Sequence, residues 1–491
     1  MTISAIFNAA SSSLAAQRVA LDVTGENIAN VNTDGYSRQR VILETASGTN
    51  SNSLMAGNGV KAAAVQRMYD NVLNKQINDG NSLQGNNDTK LKTLQQVEPY
   101  LNELSGNSIG DAMQGLSDAW QSLSLNATGI TERQAVIGKA QVLVDTFHQV
   151  NQGITNAQSF ADQSLTAVAT DVTSKGQAIA DLNLQIRTTE LSSGNSNELR
   201  DRRDLLIQQL SKQVGITYAE QPDGMMDIKL MGGETLVSGN QYATVYTNPG
   251  ALGVTSNEIR ITALGTTVTA PNLADAIVTA TIGGTNNSKG EIGGLLYSRD
   301  NTIPGYLAKL DELAYNISYQ INTQHAAGWN LNNATGIAFF TPPATLPPPA
   351  PGATYAGYSS MITVGITTTN EVAAADTNPS TGGIGNNRNA LLLANVAYTE
   401  VAFSGGATAT TSAFYNSLVS AVGVEVQSTK NLSTQNEAFI RQLNNLRDSN
   451  SGVSLDEELT NLIKYQKAFE GASKVISTVS QMMDTLLGMV R

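Results

Sequence analysis

The chain has 491 residues, enough for two to four domains with sizeable cores, although only 41% of it is hydrophobic and 5% aromatic. Charged residues make up 14%, the net charge is −12, and lysine and arginine do not cluster, so the counterion-release term that drives nucleic-acid binding is missing and no nucleic-acid partner is expected. Cysteine is absent, which excludes disulfides, thiolate metal sites and thiol catalysis.

The first seventeen residues carry no charge and are rich in Ala and Ser, without the basic start and solid apolar core of a secretory leader; no cleaved leader is expected. No apolar run reaches the roughly 18 residues of a membrane span, so no membrane insertion is expected. Ile3, Phe7, Ala10, Leu14, Leu21 and Ile28 recur at helical spacing, interrupted by Gln17 and Thr24. That stripe predicts a helix too thinly apolar to stand alone. Asn30, Asn32, Asp34 and Gly35 tolerate left-handed backbone and bond their own main chain, so the helix stops there and Tyr36 anchors an extended stretch. Beyond Gly57-Asn58-Gly59, a helix is predicted near Val65 to Ile77.

All twelve prolines lie between Pro99 and Pro379, six of them from Pro342 to Pro351, leaving both ends free for long helices. From Val136 to Ile186 a three-four stripe with one four-four stutter at Ala161 predicts a rod about 75 Å long. Asn197 to Val214 reads as a return helix with Leu199, Leu206 and Leu210 inward and the charges Glu198, Arg200, Asp201, Arg202, Arg203 and Asp204 on a solvated face. The period changes at Gly215. Ile216 to Ala219, a Pro222-Asp223-Gly224 turn and Met226 to Leu230 predict a hairpin, with further strand-like runs at Tyr242 to Tyr246, Ile259 to Ala263 and Val278 to Ile282. The helical period returns from Asp300 through Leu307, Leu310, Ala314, Ile317 and Ile321, and ends at Gly328. Residues 341–398 hold only three charged side chains and fit either a small β subdomain or a loosely ordered flap. The last helix places Leu455, Leu459, Leu462, Phe469, Ile476, Met483 and Leu487 at helical spacing behind a capping box of Ser454 and Glu457.

Candidate chemistry is sparse. His148 and His325 have no second ligand at metal-binding spacing and read as helix-surface histidines, so neither metal nor cofactor is expected. Gly382-Gly383-Ile384-Gly385 is too short for a phosphate loop, and no apolar cleft is evident in which one carboxylate of a pair would be raised. The chain reads as a non-enzyme.

Asn27-Ile28-Ala29-Asn30-Val31-Asn32-Thr33-Asp34-Gly35-Tyr36 is similar to the motif that follows the first helix in the bacterial flagellar axial-protein family. Gly35-Tyr36-Ser37-Arg38-Gln39, the final helix through Leu487, and the islands Leu199 to Asp204 and Leu310 to Ala314 resemble the hook-associated members more than rod or hook proteins. This resemblance implies a structural subunit forming a ring between hook and filament. It also implies export through the flagellar type III apparatus to the extracellular flagellum, an export chaperone at the C-terminal region, and contacts with hook protein and a second junction protein. Homo-oligomerisation would run through paired terminal helices, with Ile3, Phe7, Leu14, Leu21, Ile28, Asn30, Gly35, Tyr36, Leu455, Leu459, Leu462, Phe469, Ile476, Met483 and Leu487 at the interface.

The expected fold is α+β and multidomain: a terminal coiled-coil pair (1–60 with 452–491) and a helical rod (61–215 with about 299–327 and 399–451). A β-rich insertion (216–298) and a second insertion (328–398) complete it. Three alternatives accompany this reading: a surface adhesin or secreted effector displaying the β domain, a wall-remodelling hydrolase, and another rod or hook axial protein.

Overall fold

The computed structural model describes residues 3–46, 59–101, 108–194, 196–249, 257–266, 276–277, 289–341, 355–404, 406 and 408–489. The chain is an α+β multidomain protein organised on one long helix. That helix, α4 in a numbering that begins with α1 (Ile3–Ala29), α2 (Asn71–Val97) and α3 (Ile109–Leu125), runs unbroken from Ile130 to Ser193. Its 64 residues span about 96 Å at ~1.5 Å per residue, longer than the apolar stripe alone predicts. Gly194, at φ +78°, ends it in the left-handed conformation that glycine adopts without penalty.

The spine serves two cores. Val136 to Ala157 pack with α3, α7 (Ile303–Ala327) and the first half of α9 (Thr411–Ser451) around Trp120, Phe147 and Leu310. From Ala161 onward the same helix packs with α5 (Asn197–Gln213), α6 (Gly290–Tyr297) and the β insertion. The handover falls at the four-four stutter, where the apolar stripe shifts around the helix by a fraction of a turn. A π-helical turn, Ser298–Thr302, joins α6 to α7, and its Arg299 meets Asp162 of the spine at 2.6 Å.

The β insertion is two small antiparallel sheets. The first runs in the order β3 (Ile216–Glu220), β4 (Met226–Leu230), β5 (Thr235–Ser238), β6 (Gln241–Tyr242), and the second β7 (Val245–Pro249), β8 (Asn257–Ile261), β9 (Ala276–Ile277). Met226, Ile228 and Leu230 alternate inward against the spine, and the hairpin forms where the turn residues place it. The run Val278 to Ile282 lies outside the described residues.

Three expectations are corrected. The helix placed near Val65 to Ile77 begins only at Asn71, capped by Asp70, whose carboxylate accepts the amides of Val72 and Leu73. Val60–Arg67 is instead strand β2, paired antiparallel with β1 (Gln39–Thr45). On α5 the charges are not all solvated: Asp201 and Arg203 are buried, because strand β2 and the β3-β4 turn bring partners to that face. Arg203 donates to the Gly224 carbonyl at 2.7 Å and to Asn183 on the spine at 3.1 Å. His325, expected on a helix surface, is fully buried.

His325 belongs to a row of polar side chains on α7 that pins the second insertion. Asp311 accepts the amides of Gly357 (2.7 Å) and Ser359 (2.9 Å), and Glu312 accepts the Ser404 hydroxyl at 2.8 Å. Asn322 accepts the amides of Phe339 and Phe340 and donates to the Phe340 carbonyl. The Ala373 amide donates to His325 Nε2 at 2.9 Å, which makes Nδ1 the protonated nitrogen that donates to the Ile337 carbonyl at 2.8 Å. Residues 355–404 are therefore a cap fastened to the rod, with short helices including α8 (Arg388–Asn395). The proline-rich residues 342–354 lie outside the described residues.

Burial holds the His325 pKa down to about 4, so the imidazole is neutral at pH 7. The unfolded chain binds a proton near pH 6.5 and the folded chain does not, so this group's contribution is intact at pH 7.5 and is lost as pH falls from about 6.5 towards 4. The expected loss at pH 5 is about 2 kcal/mol. It should appear as a lower urea midpoint in Trp120 fluorescence, since Trp120 lies 6.2 Å from the His325 ring. A His325→Asn variant should show a flatter pH dependence between 7.5 and 5 than the parent.

Candidate assembly interface

The chain's two ends meet. Helix α1 packs along α10 (Leu455–Met489) and against the β1–β2 hairpin, and between them buries Ala10, Ala16, Ala20, Val23, Thr24 and Asn27, mostly small residues that let the backbones approach closely. On α10 the more enclosed positions are Glu458, Leu462, Tyr465, Phe469, Ala472, Ile476 and Val479, in alternating four and three steps. This is the heptad spacing of a helix pair. Of the residues expected at the interface, Leu462, Phe469 and Ile476 lie on this seam. Ile3, Leu14, Leu21 and Ile28 are half-buried, as are Asn30, Gly35 and Tyr36 in the turn. Phe7 is 43% exposed; on α10, Leu459 and Leu487 (50% and 69% exposed) flank the seam, while Leu455 and Met483 (46% and 50%) keep its seven-residue register near the two ends of the helix.

The most enclosed polar residues of the seam, Asn27 and Glu458, are ones the apolar stripe does not contain. Asn27 uses its whole carboxamide: Oδ1 accepts the Tyr36 hydroxyl (2.9 Å) and the Gln39 amide (3.0 Å), while Nδ2 donates to the Gln39 carbonyl (2.9 Å) and to Glu458 (3.1 Å). Arg38 completes the knot by clamping Glu458 through Nε at 2.8 Å and Glu457 at 2.6 Å, with its backbone amide on the Ser451 carbonyl. The Asn30-to-Gly35 turn, closed by Gly35 at φ +80°, delivers Tyr36 and Arg38 to these partners.

A second cluster joins this unit to the rod. Arg67 of β2 reaches Asp201 at 2.7 Å and Asp204 at 2.9 Å on α5, the Ser37 amide donates to Asp201 at 3.0 Å, and Asn197 donates to Gln39 and to the Val65 carbonyl. Burial pushes both carboxyls above the ordinary aspartate range despite the attraction of Arg67. Their folded-state pKa values are raised, so these two groups favour folding more, not less, as pH falls; acid does not unlock the joint through them. Burial likewise raises the Tyr36 phenol, which stays a neutral donor to Asn27. The charge pattern on α5 was visible in sequence, but its partner lies 134 residues away from Asp201 and leaves no local signal.

Among the described residues, no cluster of His, Cys, Asp and Glu is arranged to hold a metal, and no helix is long and apolar enough to cross a membrane. The geometry is that of a joint. An Asn27→Leu variant leaves the Tyr36 hydroxyl, both Gln39 main-chain groups and a Glu458 oxygen short of a partner, and should weaken the terminal unit locally by about 2–4 kcal/mol. Amide exchange across residues 20–27 and 455–465 should accelerate while α4 stays protected; unchanged exchange at both ends would remove Asn27 from this role.

Three family models match successive parts of the chain: flagella basal body rod protein over residues 7–36, the flagellar hook-associated protein FlgK helical domain over 94–340, and the flagellar basal body rod FlgEFG protein C-terminal over 447–489. The helical-domain match covers just over half of the 491 residues. Flagellar hook-associated protein 1 of Bacillus subtilis is 28% identical across 96% of this chain and 96% of its own. The protein of that name from Escherichia coli is 26% identical across 99% and 100%. In fold, the chain is similar to the flagellar hook junction protein FlgK from Burkholderia pseudomallei, with a TM-score of 0.66 at 17% identity over 76% of this chain and 99% of that one. By the extent of the helical-domain match, flanked by rod-protein segments at both ends, the chain belongs to the flagellar hook-associated protein FlgK family.

Proposed function

We propose that this chain is the structural subunit of the junction between flagellar hook and filament, that it polymerises through its terminal helix pair, and that the two insertions are displayed away from that pair. The family membership makes it a structural flagellar protein and not an enzyme. The observation that carries the polymerisation is what α10 leaves uncovered after pairing with α1: Leu455, Leu459, Ile463, Val475, Met482, Leu486 and Leu487 are all at least 43% exposed. Leu459, Ile463 and Leu487 lie to one side of the α1-facing seam and Val475 and Met482 to the other, so apolar positions border the pair on both flanks, a surface built for further helices. Subunits related by a head-to-tail operation would cover it and close a ring.

On this reading residues 1–60 with 452–491 are the assembly unit. Residues 61–215 with about 299–327 and 399–451 form the rod, and 216–298 and 328–398 form the displayed parts. Hook protein lies on one side of the ring and a second junction protein on the other. The chain reaches the extracellular flagellum by the flagellar export route, held beforehand by a chaperone at its C-terminal region. The low charge of the chain suits a surface that meets many copies of itself.

A strain lacking the chain should make hooks and release filament protein free into the medium; normal attached filaments would sink the junction role. Replacing Leu459 and Ile463 together by Asp should leave the rod folded by circular dichroism, yet reduce the chain in purified hook–filament particles roughly tenfold or more, a loss of at least ~1.4 kcal/mol per subunit contact. Unchanged incorporation would free the outer face of α10 from any part in assembly.

A further inference from the structure

The outer half of α9 carries apolar side chains on two sides. Towards α2 it turns a mixed face: Ser433 bonds Asp88 at 2.7 Å and receives Gln84 at 2.9 Å, Asn436 donates to the Gly80 carbonyl at 2.9 Å and to Gln84 at 3.0 Å, and Ile440 lies against Gly80. The small apolar cluster of this seam is Leu443 with Leu73 and Ile77. Away from α2 it turns Leu432, Phe439 and Leu446, which are 51%, 48% and 51% exposed. They recur every seven residues, and the half-way positions are the uncharged Gln435 and Gln442. Leaving a phenylalanine and two leucines half-exposed contributes little to an isolated chain, and a regular seven-residue row is the signature of a seam with another helix.

We infer that this row of α9 is covered by the outer flank of α1 from a second copy of the chain. Phe7, Leu14, Leu21 and Ile28 repeat at the same seven-residue spacing, beside the α10-facing side of α1 rather than on it, with Phe7 43% exposed. Their electrostatics also match. The first seventeen residues carry no charge, whereas α10 opens with Asp456, Glu457 and Glu458. The α9 row is bordered by Glu437 and Arg441, which satisfy each other at 2.9 Å. A neutral apolar stripe is best met by a neutral apolar stripe, and α1 supplies one over at least 14 residues, about 21 Å at ~1.5 Å per residue. The inference rests on the assembly reading above and adds to it a specific contact, running from the terminal unit of one subunit to the rod of the next.

The absence of native cysteine makes the test clean. Phe439→Cys and Leu14→Cys variants are co-expressed in a strain without the parent chain, and isolated hook–filament particles are oxidised mildly before denaturing electrophoresis. A disulfide needs Cα atoms within about 7 Å, so a mixed dimer that requires both variants, and is absent from dilute purified protein, is the expected result. Particles that contain the chain but give no mixed dimer, or in which Phe439→Cys bonds only to its own kind, overturn this contact and leave the junction role standing. Absence of the parent chain from particles of the wild-type strain overturns both together. As a second measurement, Leu432→Gln, Phe439→Gln and Leu446→Gln combined lie on the exposed face and should leave the monomer's melting temperature unchanged or higher while lowering incorporation roughly tenfold; normal incorporation overturns the contact.

Discussion

The carboxamide of Asn27 is where the molecule closes on itself. It bonds Glu458, 431 residues further along the chain, and at the same time fixes the turn that carries Tyr36 and Gln39. The polar contacts that join the two ends converge on this group and on the Arg38 clamp beside it. The α1–α10 seam by itself is alanine-rich and thin, and a small-residue seam buries too little apolar area to set its own register. A fully satisfied buried amide does set it, because sliding either helix by one residue would strand polar atoms away from water.

The rod solves a different problem, that of carrying two separate cores on one axis. Helix α4 does so by changing its inward face at Ala161, so that no hinge is needed between the core around Trp120 and the core behind the β insertion. Polar side chains then do the fastening. Arg203 ties the hairpin to the spine, Asp311, Glu312, Asn322 and His325 tie down the cap, and Arg67 with Asp201 and Asp204 ties the terminal unit to α5. In a chain with so little aromatic content, buried hydrogen bonds of defined direction give each insertion a single position on the rod.

Periodicity made the helices readable from sequence: the stripe through Leu143, Phe147, Val150 and Ile154 is the buried face of α4, and the hairpin turn at Pro222 to Gly224 lies where its residues demand it. Polar burial was not readable. Arg67, Asp201, Glu458 and His325 look in sequence like surface residues, and only partners from distant segments bring them inside. Val65 misled for a related reason: a short Val/Ala run is compatible with either period, and pairing with β1, itself placed by the Gly35 turn, decides for strand. At the terminal pair, helical spacing gave the inward face of α10 through Leu462, Phe469 and Ile476, but on α1 it pointed to Phe7, Leu14, Leu21 and Ile28, whereas the most enclosed positions are the smaller Ala16, Ala20, Val23 and Asn27.

The knot at Asn27 also orders events in time. Closing a loop of 431 residues directly costs about 5 kcal/mol of chain entropy, and the few bonds at Asn27 and Arg38 are a weak nucleus against that. Once Leu73 and Ile77 of α2 have met Leu443 of α9, the loop left to close is roughly 60 residues and the cost falls by about 2 kcal/mol. The terminal unit therefore closes at lower entropic cost on a rod that is already formed. In the proposed assembly, such ends could exchange closure on themselves for closure on a neighbour while the shaft stays intact.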